Sequence, residues 1–248
     1  MHKEAKRILS AYEINLLIRS NLDLSIVGKY PIDYPIEYIT NKAIFKEIEF
    51  YVDENVLIPR IETEKIIDLA IARINAKNKI KFADIGTGSG CIGITLSQYL
   101  TKLNIQHKGF LSDIDNQAVK TARINAKNIL GRQNNLKIFK SNLFDKYPPN
   151  IKFDLVLANL PYVPIIRDVD KSILYEPSIA IFSGKDGLKT IKRFLQEVNK
   201  FIYQNSLVII EIDSSQVEYF LNLNNKKLSL EIIKDQFNKD RFVVLKLK

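Results

Sequence analysis

The feature that most constrains the fold is a glycine-rich turn between a short apolar segment and a helical one. Residues 81–85 form the apolar segment, and the sequence Gly-Thr-Gly-Ser-Gly follows at 86–90. Alternating glycines let the backbone turn tightly and approach a ligand closely. The periodicity of 92–103 predicts a helix after the turn, with free N–H groups at its start. This pattern predicts a ligand site at the carboxyl end of a strand in an open α/β sheet.

Strands and helices alternate along the chain after this turn. The segments predicted as strands are 81–85, 109–113, 136–139, 153–158, 206–212, 228–233 and 242–247, and those predicted as helices are 92–103, 116–130 and 187–203. Such alternation favours a mostly parallel sheet with helices on both faces. No full crossover helix separates the last two strands, so we expect them to pair antiparallel at one edge of the sheet. This arrangement fits a methyltransferase sheet better than that of a nucleotide dehydrogenase.

The first 58 residues have a different pattern. Apolar residues at near-helical spacing predict a helical start within 3–20, and Phe45, Ile48, Phe50 and Val52 predict a small hairpin. We therefore divide the chain into a small N-terminal appendage, 1–58, and a main domain, 59–248.

The amino-acid composition excludes or disfavours several kinds of site. One cysteine excludes an internal disulfide and suits a reducing cytoplasm, and two histidines make a zinc site or a Ser-His-Asp triad a poor expectation. No apolar run is long enough for a transmembrane helix. The net charge of +9 is compatible with a nucleic acid or ribosomal partner, but also with a general bias towards lysine, asparagine and isoleucine.

The glycine turn has two interpretations. Gly88, Gly90 and Gly93 match the dinucleotide pattern GxGxxG, and Asp113 follows Gly93 by 20 residues. The alternative frame, Asp-x-Gly-x-Gly-x-Gly from position 84, is typical of S-adenosylmethionine (SAM) loops, where an acid after the second strand holds the ribose hydroxyls. Asp113 serves either interpretation, so the turn alone does not choose between the two ligands.

The sequence Asn159-Leu160-Pro161-Tyr162 after the strand at 153–158 favours SAM. It matches the (Asn/Asp/Ser)-Pro-Pro-(Tyr/Phe) motif of enzymes that methylate planar nitrogens. The Asn159 oxygen and the Leu160 carbonyl can each accept one substrate N–H, which aims the nitrogen lone pair at the methyl group. The Tyr162 ring can pack on the planar group and favour developing positive charge. Alignment supplies much of the rate, so no strong base is required.

Several further segments resemble the PrmC/HemK glutamine methyltransferases, which modify the glutamine of the Gly-Gly-Gln motif in class 1 peptide chain release factors. LIPRIETE at 57–64 resembles the family's LIPRPETE, with Ile61 in place of proline. The other similar segments are 83–92, 112–126, 141–144, 176–177, 184–187 and 234–241. The resemblance covers about 30–247 and implies a class I SAM-dependent methyltransferase fold: a Rossmann-like, mostly parallel seven-stranded sheet with an antiparallel edge strand.

The resemblance also implies a function and a site. The expected reaction is methyl transfer from SAM to the side-chain amide of that glutamine, in a cytoplasmic and monomeric enzyme without a metal. The residues expected to act on the substrate are Asn159, Leu160, Pro161 and Tyr162. Those expected to bind the cofactor are Gly86, Thr87, Gly88, Ser89, Gly90, Asp113, Leu143 and Asn159.

Two departures from the family pattern keep alternatives open. Leu160 stands where the family has its first proline, and Asn-Leu-Pro-Tyr is also the usual form in ribosomal RNA adenine dimethyltransferases of the KsgA/Erm type. A glutamine methyltransferase acting on a ribosomal protein is a further alternative. The appendage, which is expected to help dock the release factor, is also shorter than the family's N-terminal domain. With the charge of +9, weak RNA contact through a basic surface is an additional expectation.

Overall fold

A computed structural model of the chain describes residues 7–74, 79–223 and 228–247. Its strands are β1 (Lys42–Phe45), β2 (Ile48–Tyr51), β3 (Lys79–Ile85), β4 (Gln106–Asp113), β5 (Leu136–Lys140), β6 (Phe153–Ala158), β7 (Ile202–Glu211), β8 (Leu228–Lys234) and β9 (Asp240–Leu247). Its α-helices are α1 (Ala11–Arg19), α2 (Ile36–Thr40), α3 (Lys65–Arg73), α4 (Cys91–Lys102), α5 (Asn116–Leu130), α6 (Ser178–Ile181), α7 (Lys189–Val198) and α8 (Val217–Leu221).

The central sheet has seven strands in the order β5-β4-β3-β6-β7-β9-β8. The first five strands are parallel to one another, whereas β9 pairs antiparallel with both β7 and the edge strand β8. This confirms the predicted class I methyltransferase sheet and its antiparallel pair at one edge. The strand order reverses between β3 and β6, which is where ligands bind in open α/β sheets.

An apolar layer covers each face of the sheet, and the side chains of β3 contribute to both layers. Ile80 and Phe82 pack on the layer formed with α3 and α4, while Ala83 and Ile85 pack on the layer formed with α7 and α8. Because successive side chains of a strand point to opposite faces, a strand buried on both faces is apolar throughout. This explains the continuous apolar segments from which the strands were predicted.

The N-terminal part contains the predicted helix and hairpin, with shifted bounds. The helix begins only at Ala11, because Ser10 caps it in a capping box with Glu13. The start of the predicted segment, 1–6, lies outside the described residues. In the hairpin, Phe45 and Phe50 are fully buried against α3 and α4, so this hairpin shares the core of the main sheet. The domain boundary after residue 58 stays a prediction.

The helix predicted over 187–203 is shorter in the structure. Helix α7 ends at Val198, and the chain re-enters the sheet at Ile202, which pairs with Phe153. Phe201 and Ile202 are buried in the same apolar layer as the helix. In the sequence they continue the helical spacing of apolar residues, although they lie outside the helix. Among the described helices, none combines the length and the apolar character that crossing a membrane requires.

Candidate active site

A cavity of about 380 Å³ lies at the carboxyl ends of β3, β4 and β6. Its volume is within the range typical of small-molecule sites. The predicted site residues that line it are Gly86, Gly88, Asp113, Leu143, Asn159, Leu160 and Pro161. The fold therefore brings the glycine turn, the acid after β4 and the segment after β6 to one place.

The glycine turn has a backbone that only glycine adopts freely. Gly86, Gly88 and Gly90 have φ values of +73°, +54° and +86°. A Cβ atom on Gly86 would lie 3.1 Å from Leu160 Cδ2 and 3.3 Å from the Asn159 carbonyl oxygen. The turn can therefore pack this closely against the segment after β6 only because residue 86 has no side chain.

The other predicted residues of the turn do not line the cavity. The Thr87 hydroxyl donates to Asp84 Oδ2 at 2.5 Å, and the Ser89 side chain is buried. Gly90 caps the start of α4. In this structure these residues shape the turn, and their contact with a cofactor stays a prediction. Asp84, which also accepts from the Gly93 N–H at 3.0 Å, is fully buried, and this burial raises its pKa to about 6.

Asp113 stands at the end of β4 with its carboxylate fixed by the backbone. Gly88 N–H donates to Oδ2 and Asp115 N–H to Oδ1, both at 2.9 Å. Burial raises the pKa of this carboxyl above its usual value, while the two N–H donors act in the opposite direction. Each oxygen keeps a further lone pair, which suits two vicinal hydroxyl groups such as those of a ribose.

Leu143 forms part of the cavity wall after β5. Its φ of +50° is unusual for a residue with a Cβ, and the Ser141 hydroxyl donates to its carbonyl at 2.8 Å. Leu143 is buried, with Ile114 and Ala118 in the same wall. This apolar wall suits a flat ring system.

Asn159 is oriented by a residue that the sequence-based site omitted. Its Nδ2 donates to the Thr63 hydroxyl at 3.2 Å. Thr63 belongs to LIPRIETE and is almost fully buried. With the amide nitrogen engaged by Thr63, the side-chain oxygen is the end of Asn159 left to accept a hydrogen bond from a substrate.

Tyr162 is not among the residues that line the cavity, but lies next to it in the chain segment that does. Its hydroxyl donates to Glu211 Oε1 at 3.1 Å, and its carbonyl accepts from Gln216 Nε2 at 3.0 Å. A Cβ atom on Gly187 would lie 2.0 Å from the Tyr162 carbonyl oxygen. Tyr162 is thus held at its ring and at its backbone by three segments.

LIPRIETE is anchored beside this site through Glu176. The Arg60 guanidinium forms a salt bridge with Glu176 Oε1, and Ile58 N–H donates to Glu176 Oε2 at 2.9 Å. Glu64 of the same segment accepts from the N–H of Lys46 in the hairpin turn at 2.7 Å. The segment therefore links the hairpin to the active site, a role its sequence pattern alone did not reveal.

Glu211 is the second residue that sequence reasoning missed. It is the last residue of β7 and is buried directly behind Tyr162. The signal available in the sequence was an acid at the end of the apolar run 206–212. Across residues 7–74, 79–223 and 228–247, no three His, Cys, Asp or Glu side chains are grouped so that they could hold a metal.

Comparisons with known proteins identify the family. Residues 62–174 match the family model described as the methyltransferase small domain. The release factor glutamine methyltransferase of Clostridium acetobutylicum is 33% identical over 218 residues, covering 85% of this chain and 74% of that protein. The release factor glutamine methyltransferase of Lactococcus lactis is 32% identical, covering 86% and 77%. The chain belongs to the release factor glutamine methyltransferase family.

A solved structure supports the fold independently. The ribosomal protein L11 methylase of Lactobacillus delbrueckii superposes with a TM-score of 0.55 at 19% identity, covering 76% of this chain and 80% of that one. As a member of its family, the chain is a SAM-dependent methyltransferase. The cavity fits this cofactor, because the glycine turn leaves room for the methionine part, Asp113 offers ribose acceptors and Leu143 offers an apolar wall.

Proposed function

We propose that this chain transfers a methyl group from SAM to the side-chain amide of the glutamine in the Gly-Gly-Gln motif of class 1 peptide chain release factors. SAM, when bound, supplies a methyl group made electrophilic by its sulfonium. The relatives that are 31–34% identical over most of the chain and carry the name release factor glutamine methyltransferase support this substrate. Because release factors work on the ribosome, the proposal includes a cytoplasmic location.

The observation that carries the proposal is the orientation of Asn159. Its nitrogen donates to Thr63, so its oxygen can accept one N–H of a primary amide, and the adjacent Leu160 carbonyl can accept the other. A nitrogen held by both of its hydrogens has its lone pair directed away from them, towards the methyl donor. The leucine at position 160 keeps this carbonyl, so the loss of the family's proline does not remove the acceptor.

The site achieves this chemistry by placement. An amide nitrogen is a weak nucleophile. Binding in the site aligns it with the methyl group beforehand, so the entropy cost of bringing the two together is no longer part of the activation barrier. As the new C–N bond forms, positive charge develops on the amide, and the Tyr162 ring would face it. The nitrogen gains one methyl group as the methyl–sulfur bond breaks, which leaves a neutral thioether, and it releases one proton to the solvent. His107 does not serve as the base here, since it is buried and hydrogen-bonded to Ser97.

Replacement of Asn159 tests these roles. Asn159→Ala removes one of the two acceptors without touching the glycine turn or Asp113. We expect it still to bind SAM by calorimetry through the glycine turn and Asp113, with an affinity reduced far less than methyl transfer to a release factor, which should fall by roughly 100-fold or more. A folded Asn159→Ala protein that binds SAM and keeps full activity would contradict the assignment.

We also infer an RNA contact through a basic face formed by α5, β5 and the loop between them. Residues 116–140 contain six basic residues and no acidic one. These are Lys120, Arg123, Lys127, Arg132, Lys137 and Lys140, all exposed. Within the described part of the chain, none of them forms a salt bridge. Lys137 lies over the Phe110 ring, on the side of β5 opposite to α5, so the other five residues form the basic face, and their positive charge suits a phosphate backbone.

Charge-reversal variants distinguish a specific RNA contact from a general effect of net charge on RNA binding. The double variant Arg123→Glu/Lys127→Glu should bind ribosomal RNA more weakly, with a shallower dependence of log affinity on log salt. The matched control Lys29→Glu/Lys200→Glu changes the net charge equally at exposed positions outside this face. Equal losses in both variants would show a general charge effect and contradict a dedicated face.

A further inference from the structure

We propose that Glu211 is a positioning residue for methyl transfer, which fixes the Tyr162 ring at the acceptor site and holds a negative charge behind it. The inference rests on the proposed function, because it assumes that Tyr162 faces the substrate amide. Glu211 lies outside the Asn-Leu-Pro-Tyr segment by nearly 50 residues of chain and reaches it only through the fold.

Glu211 is a buried hydrogen-bond acceptor at the hydroxyl end of the Tyr162 ring. Glu211 is 1% exposed, and its Oε1 accepts from the Tyr162 hydroxyl at 3.1 Å. The Thr63 hydroxyl also acts on this carboxylate as a hydrogen-bond donor and lowers its pKa, whereas Oε2 is buried without a well-formed hydrogen bond to the described residues. A buried carboxylate whose charge is only partly compensated is costly, so a carboxylate at this position is not explained by stability.

The groups that act on Glu211 come from three parts of the chain. Thr63 and Glu62 face it from the LIPRIETE segment, Tyr162 from the segment after β6, and Arg241 from β9. The Arg241 guanidinium is itself engaged with Asp235 and the Ile212 carbonyl. Glu211 thus has one cation nearby but no direct salt bridge within the described residues, so its charge is only partly compensated.

The protonation states agree with a fixed direction of this hydrogen bond. Burial raises the pKa of Tyr162 far above its usual value, so the hydroxyl remains a donor. Burial raises the pKa of Glu211 to about 6, while Thr63, Arg241 and Tyr162 act in the opposite direction. Near pH 7.5 the carboxylate is ionised and accepts from Tyr162, and below pH 6 this acceptor becomes neutral.

An ionised Glu211 would have two effects on the reaction. It would hold the ring in one orientation, and it would place a negative charge on the far side of the ring from the substrate. As methyl transfer makes the amide nitrogen positive, that charge would stabilise the transition state more than the ground state. Binding of SAM would not depend on it, because Glu211 does not line the cavity.

The test compares Glu211→Gln, Tyr162→Phe and the double variant. Glutamine keeps an acceptor for the tyrosine hydroxyl but removes the charge. We expect each single variant to lower kcat on a release factor by roughly 10- to 100-fold, with KM for SAM unchanged. The double variant should be no slower than the slower single one, because both changes remove the effect that the Glu211 charge exerts through the Tyr162 hydroxyl. In the wild type, kcat should rise with pH through about 6, and Glu211→Gln should lose this limb.

The chain offers a matched control at the opposite ends of β6 and β7. There the Tyr203 hydroxyl donates to Asp154, a second tyrosine–carboxylate pair on the same two strands. Tyr203→Phe should keep the wild-type kcat and the rise of kcat with pH through about 6. A Glu211→Gln enzyme with the wild-type kcat and an unchanged limb would overturn the proposal and leave Asp84, whose pKa is also raised to about 6, as the source of that limb.

A readout without substrate separates this proposal from the proposed function. In protein with ring-labelled tyrosine, the NMR signal of Tyr162, assigned by its loss in Tyr162→Phe, should shift in Glu211→Gln and not in Tyr203→Phe. If this shift occurs but the wild type does not methylate release factors, the positioning contact stands and the proposed substrate is wrong. If no shift occurs, Glu211 does not hold Tyr162, whatever the substrate.

Discussion

At the scale of single residues, the site depends on side chains that act through their neighbours. Asn159 can present its oxygen to a substrate because Thr63 engages its nitrogen. Asparagine alone has no preference between the two orientations of its amide, which differ only in the exchange of a donor for an acceptor. A threonine hydroxyl can donate or accept, and Thr63 selects this orientation because its own hydrogen is donated to the buried Glu211 carboxylate.

This dependence predicts the effect of changing Thr63. Thr63→Val keeps the shape but removes the hydroxyl, so Asn159 can rotate, and we expect kcat to fall roughly 10- to 100-fold. Thr63→Ser should keep most of the activity. Steady-state kinetics at saturating SAM measure this, and calorimetry should give equal SAM affinity for all three proteins. A Thr63→Val enzyme as active as Thr63→Ser would exclude the orienting role.

The two residues that the sequence did not predict, Thr63 and Glu211, share a cause. Both lie far along the chain from Asn159 and Tyr162 and meet them only where β6, β7 and the segment before α3 converge. Local spacing predicts the glycines, which act within one turn, and the motif pattern predicts Asp113 at the end of the next strand. It does not predict hydrogen bonds between strands whose order in the sheet is not yet known.

At the scale of elements, the position of Tyr162 depends on the turn before α7. Gly187 has a φ of +72°, and a Cβ there would collide with the Tyr162 carbonyl. Gly131, which ends α5, has a φ of +84° with no atom near its missing Cβ. Both glycines have a positive φ that disfavours alanine, but only at Gly187 would the added Cβ also collide with another atom.

Alanine substitutions at these two glycines distinguish backbone strain from displacement of Tyr162. Gly131 has φ +84° and ψ 176°, a conformation essentially restricted to glycine, so Gly131→Ala should lower the free energy of unfolding by about 1–3 kcal/mol and leave kcat unchanged. Gly187→Ala should cost more than this and also reduce kcat, because Tyr162 must move. Denaturant unfolding and kinetics measured on both variants check this, and a fully active Gly187→Ala enzyme would contradict the packing described here.

The N-terminal hairpin behaves as part of the main core, although sequence grouped it with the appendage. Phe50→Ala should destabilise the whole protein by roughly 3–5 kcal/mol, because the ring is fully buried against α3 and α4. The expected result is one cooperative transition at lower denaturant by circular dichroism. Separate loss of the hairpin, with the main transition unmoved, would show instead that it is an independent unit.

At the scale of the whole molecule, the sheet was predictable and the helix ends were not. Continuous apolar segments of the right length identify buried parallel strands, and the lack of a crossover near the C-terminus identifies the antiparallel pair. Helix α7 stops at Val198 because Ile202 pairs with Phe153, a tertiary contact that periodicity does not contain.

Two buried carboxyls make stability depend on pH. Burial raises the pKa of Asp84 and of Glu211 to about 6, so the folded state binds more protons than the unfolded state between about pH 4 and 6. Their contribution to stability is present at low pH and is lost as pH rises through 6. Glu211→Gln should therefore be more stable than the wild type at pH 7.5, by roughly 1–2 kcal/mol, with a smaller difference near pH 4. An equal difference at both pH values, by denaturant unfolding, would contradict this.

The most direct test of the account is to identify the acceptor. The purified protein is incubated with radiolabelled SAM and, in parallel, with a class 1 release factor, the same factor with its Gly-Gly-Gln glutamine changed, and small-subunit ribosomal RNA. We predict label on the intact release factor alone, mapped to that glutamine by mass spectrometry. Label on RNA adenine, with none on the release factor, would contradict the central claim and indicate that Leu160 and the basic face mark a nucleic-acid enzyme.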